Sequence, residues 1–198
     1  MENNYDIEFY RKFRKFVKAF MRITYNIKVE GLENIPEDEN YILSGNHLNI
    51  LDSWLLLALI DDDLRFMVDK KLYRYQSWAN FFSKLGTFPI DPQKIDINAM
   101  KTLFKLIDSK EKIVIFPEGK THSLKEDVPF KPGIPKISQK KGTLIVPFGI
   151  NGSYLPFTDL KISIGSPINY KLVNMPSSEY DIHLESEVRL LQKKAELL

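Results

Sequence analysis

Apolar residues near the N-terminus recur at helical spacing. Between Ile7 and Tyr25 they stand three or four positions apart, at Phe9, Phe13, Phe16, Val17, Phe20 and Met21. This period predicts an amphipathic helix whose apolar residues share one face. The remaining positions carry six cations, at Arg11, Lys12, Arg14, Lys15, Lys18 and Arg22. The pattern therefore predicts a helix with an aromatic face and a strongly basic face.

Short apolar runs alternate with helical patterns along the rest of the chain. The predicted strands are residues 25–29, 41–44, 64–68, 87–90, 112–116, 144–150 and 161–165. The predicted helices are residues 51–60, 78–85, 95–107, 133–141 and 179–198. Continuous apolar strands that alternate with helices are typical of a buried, largely parallel sheet. We therefore expect an α/β fold, in which the amphipathic helix of residues 1–25 precedes a single domain of residues 26–198.

Composition narrows the class of function. A length of 198 residues is enough for one domain with its own core. The net charge of +2 gives no global basic field, so nucleic acid is not an expected partner. The absence of cysteine excludes disulfides, thiolate metal sites and a cysteine nucleophile. No apolar run reaches the roughly 18–20 residues that span a bilayer. We therefore expect a protein that does not cross a membrane by itself, which leaves open whether it lies on one.

The first candidate for chemistry directly follows the predicted strand of residues 41–44. His47 suits the removal of a proton near neutral pH, and a carboxylate such as Asp52 can fix the tautomer of a histidine. The two residues would not share a face of a regular helix, so they meet only if His47 lies on a loop and Asp52 opens the helix. The structural alternative is that Asp52 is only a helix N-cap or a first-turn acid, and that His47 is only a surface loop residue.

A second candidate stands at the end of the predicted strand of residues 112–116. There Glu118 would project from the strand end, Gly119 would let backbone approach a ligand closely, and Lys120 offers a cation to a phosphate. The structural alternative is an ordinary turn with a solvated charge pair.

Two weaker segments and two histidines complete the inventory. The run Gly86–Asp91 ends in an acid, and the run Ile145–Ile150 is most simply part of the core. His122 and His183 have no evident sequence partners, so we expect both at the surface.

The order of these four segments is more specific for a protein family than any one segment alone. His-x4-Asp, Gly-x3-Ile-Asp, Phe-Pro-Glu-Gly and Ile-Val-Pro-Phe follow one another along the chain. This order resembles the glycerolipid acyltransferase family, particularly the bacterial 1-acylglycerol-3-phosphate acyltransferases, from about Gly31 to Gly165. The resemblance implies transfer of a fatty acyl group to lysophosphatidate, which makes phosphatidic acid for phospholipid biosynthesis.

The same resemblance implies roles for individual residues. His47 would be the general base and Asp52 its orienting partner, and the acceptor hydroxyl would attack the thioester without an acyl-enzyme intermediate. The implied substrate-binding residues are Asp91, Glu118, Gly119, Lys120 and Lys131. The acyl donor would be the thioester of acyl carrier protein or of coenzyme A, which acts as a co-substrate. Neither a cofactor nor a metal is expected.

Two positions depart from the family pattern. Thr121 stands where the third motif has an arginine, and Pro92 stands where the second motif has another. Nearby lysines could compensate, although lysine does not reproduce the bidentate geometry of arginine. The alternatives are therefore an acyltransferase for another lysophospholipid or a catalytically silent lipid-binding protein. A serine hydrolase is disfavoured because the chain has no Gly-x-Ser-x-Gly.

An insoluble acceptor suggests a setting for the N-terminal helix. An aromatic face flanked by cations suits the headgroup region of an anionic bilayer. We therefore expect a peripheral protein on the cytoplasmic face of the cell membrane, whose partners are a lysophospholipid, an acyl thioester carrier and the membrane surface. The alternative is that the phenylalanines pack on the domain and the cations are only solvated. The C-terminal helix is expected to be structural.

Overall fold

A computed structural model describes residues 5–94 and 96–198. The α-helices are α1 Ile7–Thr24, α2 Asp52–Leu59, α3 Gln76–Lys84, α4 Ile97–Asp108, α5 Ile134–Lys141 and α6 Tyr180–Glu196. The strands are β1 Asn26–Glu30, β2 Tyr41–Gly45, β3 Leu64–Asp69, β4 Phe88–Ile90, β5 Lys112–Ile115, β6 Leu144–Gly152 and β7 Asp159–Ile164. Short 3-10 helices span Leu32–Asn34 and Lys70–Tyr73. These elements confirm the predicted helices and strands to within a few residues, apart from Ile95, which lies outside the described residues.

The strands form one seven-stranded sheet in the order β1-β7-β6-β2-β5-β3-β4. Paired strands run parallel except β6 and β7, which are antiparallel. The predicted α/β fold with a mostly parallel sheet is thereby confirmed. The carboxyl ends of β2, β3, β4, β5 and β6 share one edge of the sheet, and α/β proteins place their sites at such an edge.

The sheet separates two hydrophobic cores. Helices α1 and α2 cover one core, and α4 and α6 cover the other. Along β2, Tyr41 and Leu43 enter the first core while Ile42 enters the second, as the alternation of a strand requires. Helix α6 lies close against β6, where a Cβ on Gly149 would collide with the backbone of Gln192. Both faces of the sheet are therefore covered, which is why its strands lack polar alternation.

Helix α1 packs on the domain by its aromatic face. Asp6 caps the helix by accepting the N–H of Phe9 at 3.0 Å. The ring of Phe13 meets Trp54 of α2 at 5.7 Å and Phe81 of α3 at 5.6 Å, both edge to face. Phe16 remains 58% exposed. The aromatic face is therefore shared between the domain and the solvent.

The cations of α1 divide into two groups. Arg11, Arg14 and Lys18 form ion pairs with the acidic turn Asp61–Asp63 that follows α2. The exposed face of the helix carries Lys12, Lys15, Phe16, Ala19, Arg22 and Ile23. We call this second group the outer face of α1; within it, Lys12 lies 3.6 Å from Glu8 of the same helix, and both side chains are exposed. Within residues 5–94 and 96–198, no helix is both long enough and apolar enough to span a bilayer.

Candidate active site

The end of β2 leads directly into the candidate site. Asn46 is buried, and its amide donates to the carbonyl of Ile150 at 2.9 Å and accepts the N–H of Ile150 at 2.7 Å. The Asn46 amide thus takes the place of the backbone hydrogen bonds that the next residue of β2 would make to β6. The chain can therefore leave the sheet at this point without unpaired polar groups. Gly45 is required beside it, because a Cβ there would collide with Phe148. The turn lifts His47 out of the sheet at its carboxyl edge.

His47 and Asp52 form a dyad. Nδ1 of His47 lies 2.7 Å from Oδ2 of Asp52, the buried first residue of α2. The same oxygen accepts the N–H groups of Leu48 at 2.7 Å and Asn49 at 2.9 Å. Asp52 lies in the first turn of α2 but does not cap that helix, whose N-cap position is Leu51. Its carboxylate binds the preceding turn and the histidine instead, as the dyad interpretation requires. The loop position of His47 is the arrangement that the spacing required.

Tyr154 supplies a further contact that the sequence did not indicate. Its hydroxyl donates to Oδ1 of Asp52 from beyond the end of β6. Burial and the neighbouring Asp52 carboxylate raise the pKa of Tyr154 well above its ordinary value, so the hydroxyl keeps its proton and acts as a donor. The residues are 102 positions apart and meet because β6 lies beside β2 in the sheet.

The ring face of the His47 imidazole also has a packing partner. Its ring stacks on Phe116 with centroids 4.0 Å apart and an interplanar angle of 15°. Because Asp52 occupies Nδ1, Nε2 is the nitrogen left to exchange a proton with a substrate. The His47 side chain is only partly exposed, so that nitrogen works near the surface rather than in bulk water.

The turn after β5 lies against the backbone of His47. Glu118 is buried, and its Oε2 accepts the N–H of His47 at 2.6 Å. The N–H of His122 donates to the His47 carbonyl at 3.0 Å. Both backbone polar groups of His47 are therefore bound by this turn. The expectation that Glu118 contacts the acceptor stays a prediction, and its observed contacts hold the dyad in place.

The prediction that His122 lies at the surface was wrong. The residue is 6% exposed, because the turn folds back under His47 and carries the imidazole inward. Its Nε2 lies 2.8 Å from Oε2 of Glu118 without a well-directed hydrogen bond, so the contact is an ion pair when His122 is protonated. His183 is half-buried in the second core, where its Nδ1 lies 3.1 Å from the Tyr170 hydroxyl. Tyr170 is 13 positions away in the sequence, so the local sequence does not reveal this partner.

Helix α6 also contributes a charge to the site. Arg189 lies with Nη1 3.5 Å from Oε1 of Glu118 and donates from Nη2 to the carbonyl of Val128 at 2.6 Å. Burial raises the pKa of Glu118, while the His47 N–H, His122 and Arg189 act in the opposite direction. The role of α6 thus extends beyond packing, which the sequence alone did not suggest.

The remaining candidate residues meet at the same edge of the sheet. Asp91 follows β4 and is nearly buried, and Lys70 donates to it at 2.7 Å, which lowers the pKa of Asp91. Lys131 donates from Nζ to the carbonyl of Pro92 at 2.6 Å. Its side chain also lies over Gly119, where a Cβ would stand 2.6 Å from Nζ. Two lysines therefore occupy the region in which the family pattern has arginines.

Lys120 and Gly119 complete the candidate set. Gly119 has a φ of 70°, which favours glycine, and Lys120 is exposed beside it. Among residues 5–94 and 96–198, no group of three or more histidine or acidic side chains is arranged to hold a metal ion.

Comparison with known proteins gives consistent matches. A sequence model of the family described as Acyltransferase matches residues 26–151. A 1-acyl-sn-glycerol-3-phosphate acyltransferase of Bacillus subtilis is 27% identical over 170 residues, which are 82% of this chain and 84% of that protein. A protein of the same name from Streptococcus pneumoniae is 28% identical over 122 residues, which are 60% of this chain and 46% of that protein.

A solved structure has the same fold. The crystal structure of the 1-acyl-sn-glycerophosphate acyltransferase PlsC from Thermotoga maritima superposes with a TM-score of 0.74 at 23% identity. The match covers 94% of this chain and 78% of that one.

Proposed function

This chain belongs to the acyltransferase family, and from that premise we propose that it acylates 1-acyl-glycerol 3-phosphate to phosphatidic acid. The acyl donor in this proposal is a thioester of acyl carrier protein or coenzyme A. The observation that carries the proposal is the hydrogen-bonded pair of His47 and Asp52 at the carboxyl edge of the sheet. The acceptor is supported by the Bacillus subtilis relative, whose name states that substrate.

The geometry supports a direct transfer. Asp52 keeps Nδ1 of His47 protonated, so Nε2 accepts the proton of the acceptor hydroxyl as its oxygen attacks the thioester carbonyl. Collapse of the tetrahedral intermediate breaks the C–S bond, and the imidazolium returns the proton to the leaving thiolate. The acyl group moves in one displacement, with no covalent bond to the protein.

The acceptor phosphate is assigned to the basic rim beside Gly119. Lys131 and the exposed Lys120 border that glycine, and Lys70 stands at the neighbouring strand end. Ammonium groups bind phosphate as point charges, so they can take the place of the absent arginines with looser geometry.

The membrane setting belongs to the same proposal. The outer face of α1 combines Lys15 and Arg22 with the exposed Phe16 and Ile23. Such a face suits an anionic bilayer, where rings enter the headgroup region and cations reach phosphates. We place the protein peripherally on the cytoplasmic face of the cell membrane.

The test is transfer of labelled acyl groups from acyl carrier protein and acyl coenzyme A to a panel of acceptors. The panel contains lysophosphatidate, glycerol 3-phosphate and several lysophospholipids, in mixed micelles. We expect labelled phosphatidic acid, and a His47→Ala loss of about 10²–10⁴-fold in rate. His183→Ala is the matched control, because His183 lies in the other core.

The other outcomes decide between the alternatives. Incorporation only into another lysolipid would keep the mechanism and change the acceptor. Full activity of His47→Ala would remove the general-base role. No incorporation into any acceptor would favour a lipid-binding protein without catalysis.

A further inference from the structure

The loop between β6 and β7 displays apolar side chains in water. In this loop, residues 153–158, Leu155 is 67% exposed and Phe157 is 83% exposed. Phe157 also has a φ of 64°, a left-handed conformation that is strained for an aromatic residue. Exposure and strain at one residue are unfavourable for folding, which points to a use outside the fold.

The loop is nevertheless held firmly. The single hydroxyl hydrogen of Thr158 is shared between two carbonyls, since Oγ1 lies 2.9 Å from that of Ser153 and 2.7 Å from that of Leu155. The N–H of Phe157 donates to the carbonyl of Thr24, the last residue of α1, at 2.7 Å. The two apolar side chains are therefore presented by a fixed loop and do not protrude by disorder.

The chemistry of the loop fits a lipid surface. Residues 151–158 carry no charged side chain. The following Asp159 is bound by Asn26 at 2.7 Å and by Lys28 at 3.1 Å. Desolvation of unpaired charge is the main cost when a polypeptide segment enters a bilayer. Insertion of this loop would not carry that cost.

The contact with Thr24 joins the loop to the C-terminal end of α1. Ile23 of the outer face, 76% exposed, stands next to this junction, and Arg22 precedes it. The apolar residues of the helix and the loop thus form neighbouring parts of one surface.

The loop is also tied to the dyad. Tyr154, which precedes Leu155, donates its hydroxyl to Asp52. Its own carbonyl accepts the hydroxyl of Tyr25 at 3.2 Å. The exposed Leu155 is therefore one residue from a direct contact of the catalytic pair.

We propose that Leu155 and Phe157 insert into the lipid surface beside α1 and so set the dyad against the bilayer that holds the acceptor. This inference rests on the proposed membrane setting. It adds a second anchoring element, and that element is rigidly connected to Asp52 through Tyr154.

The absence of cysteine makes a site-specific test simple. Phe157→Cys carries one environment-sensitive nitrobenzoxadiazole label, and Leu172→Cys is the matched control. Leu172 is 80% exposed and follows Tyr170 of the second core, on the face of the sheet opposite α1. On adding vesicles of equal phosphatidylglycerol and phosphatidylcholine, we expect about two-fold or higher emission with a blue shift at position 157 only.

A second measurement compares partitioning at high salt, where cationic attraction is screened. Leu155→Ser with Phe157→Gly should partition about ten-fold more weakly than the parent, since both apolar contacts are removed. Glycine accepts the left-handed conformation, so this variant keeps its fold, which circular dichroism checks. Leu172→Ser should partition like the parent.

The remaining outcomes overturn the inference. Vesicle binding without an emission change at position 157, or with equal changes at 157 and 172, would show that the loop stays in water. Failure of every variant to bind vesicles would reject it too. Transfer to a short-chain acceptor dissolved as monomers needs no bilayer, and it separately decides whether the proposed reaction occurs.

Discussion

Four hydrogen-bond donors meet on the carboxylate of Asp52. One oxygen takes Nδ1 of His47 and the N–H groups of Leu48 and Asn49, and the other takes the Tyr154 hydroxyl. An ionised aspartate is an acceptor only, so it can satisfy all four at once. This convergence fixes the carboxylate that orients the imidazole, and the stacked ring of Phe116 holds the imidazole from its face. At the residue scale, the orientation of His47 therefore depends on contacts from two separate strand ends.

Tyr154→Phe tests the contribution of the distant donor. The change keeps the ring but removes the hydroxyl that donates to Oδ1 of Asp52. A buried acceptor that loses its donor costs about 1–3 kcal/mol of free energy. We expect kcat to fall while the KM for the acceptor stays constant, because the tyrosine touches Asp52 and not the substrate. Steady-state kinetics on lysophosphatidate measures both values. Tyr180→Phe, in the other core, is the control, and an unchanged kcat in Tyr154→Phe would contradict the positioning role.

Lys131→Ala tests the assignment of the acceptor phosphate. One charged hydrogen bond contributes about 1.5–3 kcal/mol, so the KM for lysophosphatidate should rise about ten-fold or more. Lys120→Ala should raise it as well if its exposed ammonium reaches the same phosphate. Lys136→Ala, an exposed lysine of α5, is the control. Unchanged acceptor KM values in both variants would remove these lysines from the phosphate site.

Helix α6 shows how a whole element supports the site from the opposite side of the sheet. It packs on β6 through close contact at Gly149, which brings Arg189 to the buried Glu118. Glu118 in turn holds the N–H of His47 at 2.6 Å. A helix far from the dyad in sequence is thus connected to it by two contacts.

Arg189→Met should destabilise the protein by about 1–2 kcal/mol at neutral pH, since Glu118 loses a cation and Arg189 is partly exposed. The pKa of Glu118 is raised above 4.5 by burial, so its ionisation opposes folding as the pH rises through that range. Losing Arg189 raises this pKa further. The difference in the free energy of unfolding between the variant and the parent should therefore be largest at neutral pH. It should shrink as Glu118 becomes protonated.

Urea unfolding followed by tryptophan fluorescence, at neutral pH and near pH 4.5, measures this difference. Lys193→Met is the control, because Lys193 is an exposed cation on the same helix. A deficit for Arg189→Met that is equal at both pH values would mean that the arginine stabilises the protein through its other contacts, such as the Val128 carbonyl, and not through the charge of Glu118.

The molecule as a whole presents one side to the proposed membrane. The acidic turn Asp61–Asp63 neutralises Arg11, Arg14 and Lys18, so the net charge of α1 overstates what a lipid surface would meet. Lys15 and Arg22 remain on the outer face. Tertiary packing has therefore sorted six similar cations into structural and available groups.

Lys15→Gln with Arg22→Gln should weaken binding to vesicles that contain phosphatidylglycerol. Each cation near an anionic surface contributes about 1 kcal/mol, so the pair should account for about thirty-fold at low salt. The effect should disappear at high salt through screening. Sedimentation with vesicles measures it, and Lys136→Gln with Lys140→Gln on α5 is the matched control. Equal weakening in both double variants would indicate a response to net charge rather than to this face.

The sequence by itself determined the elements, their class of fold and the central dyad. The period of the apolar residues specifies helices and buried strands locally. The spacing of His47 and Asp52 permits a contact that needs only one turn and one helix start, and the resemblance to the acyltransferase family implies that contact. Only the tertiary structure decided the long-range contacts of Tyr154 and Arg189 and the burial of His122. The two contacts depend on which strands lie side by side and on which helix covers them, and neighbouring residues do not encode either arrangement. The burial of His122 depends on how the turn after β5 folds against His47. The antiparallel β6–β7 pair likewise depends on long-range packing, and it is this hairpin that brings Tyr154 to Asp52.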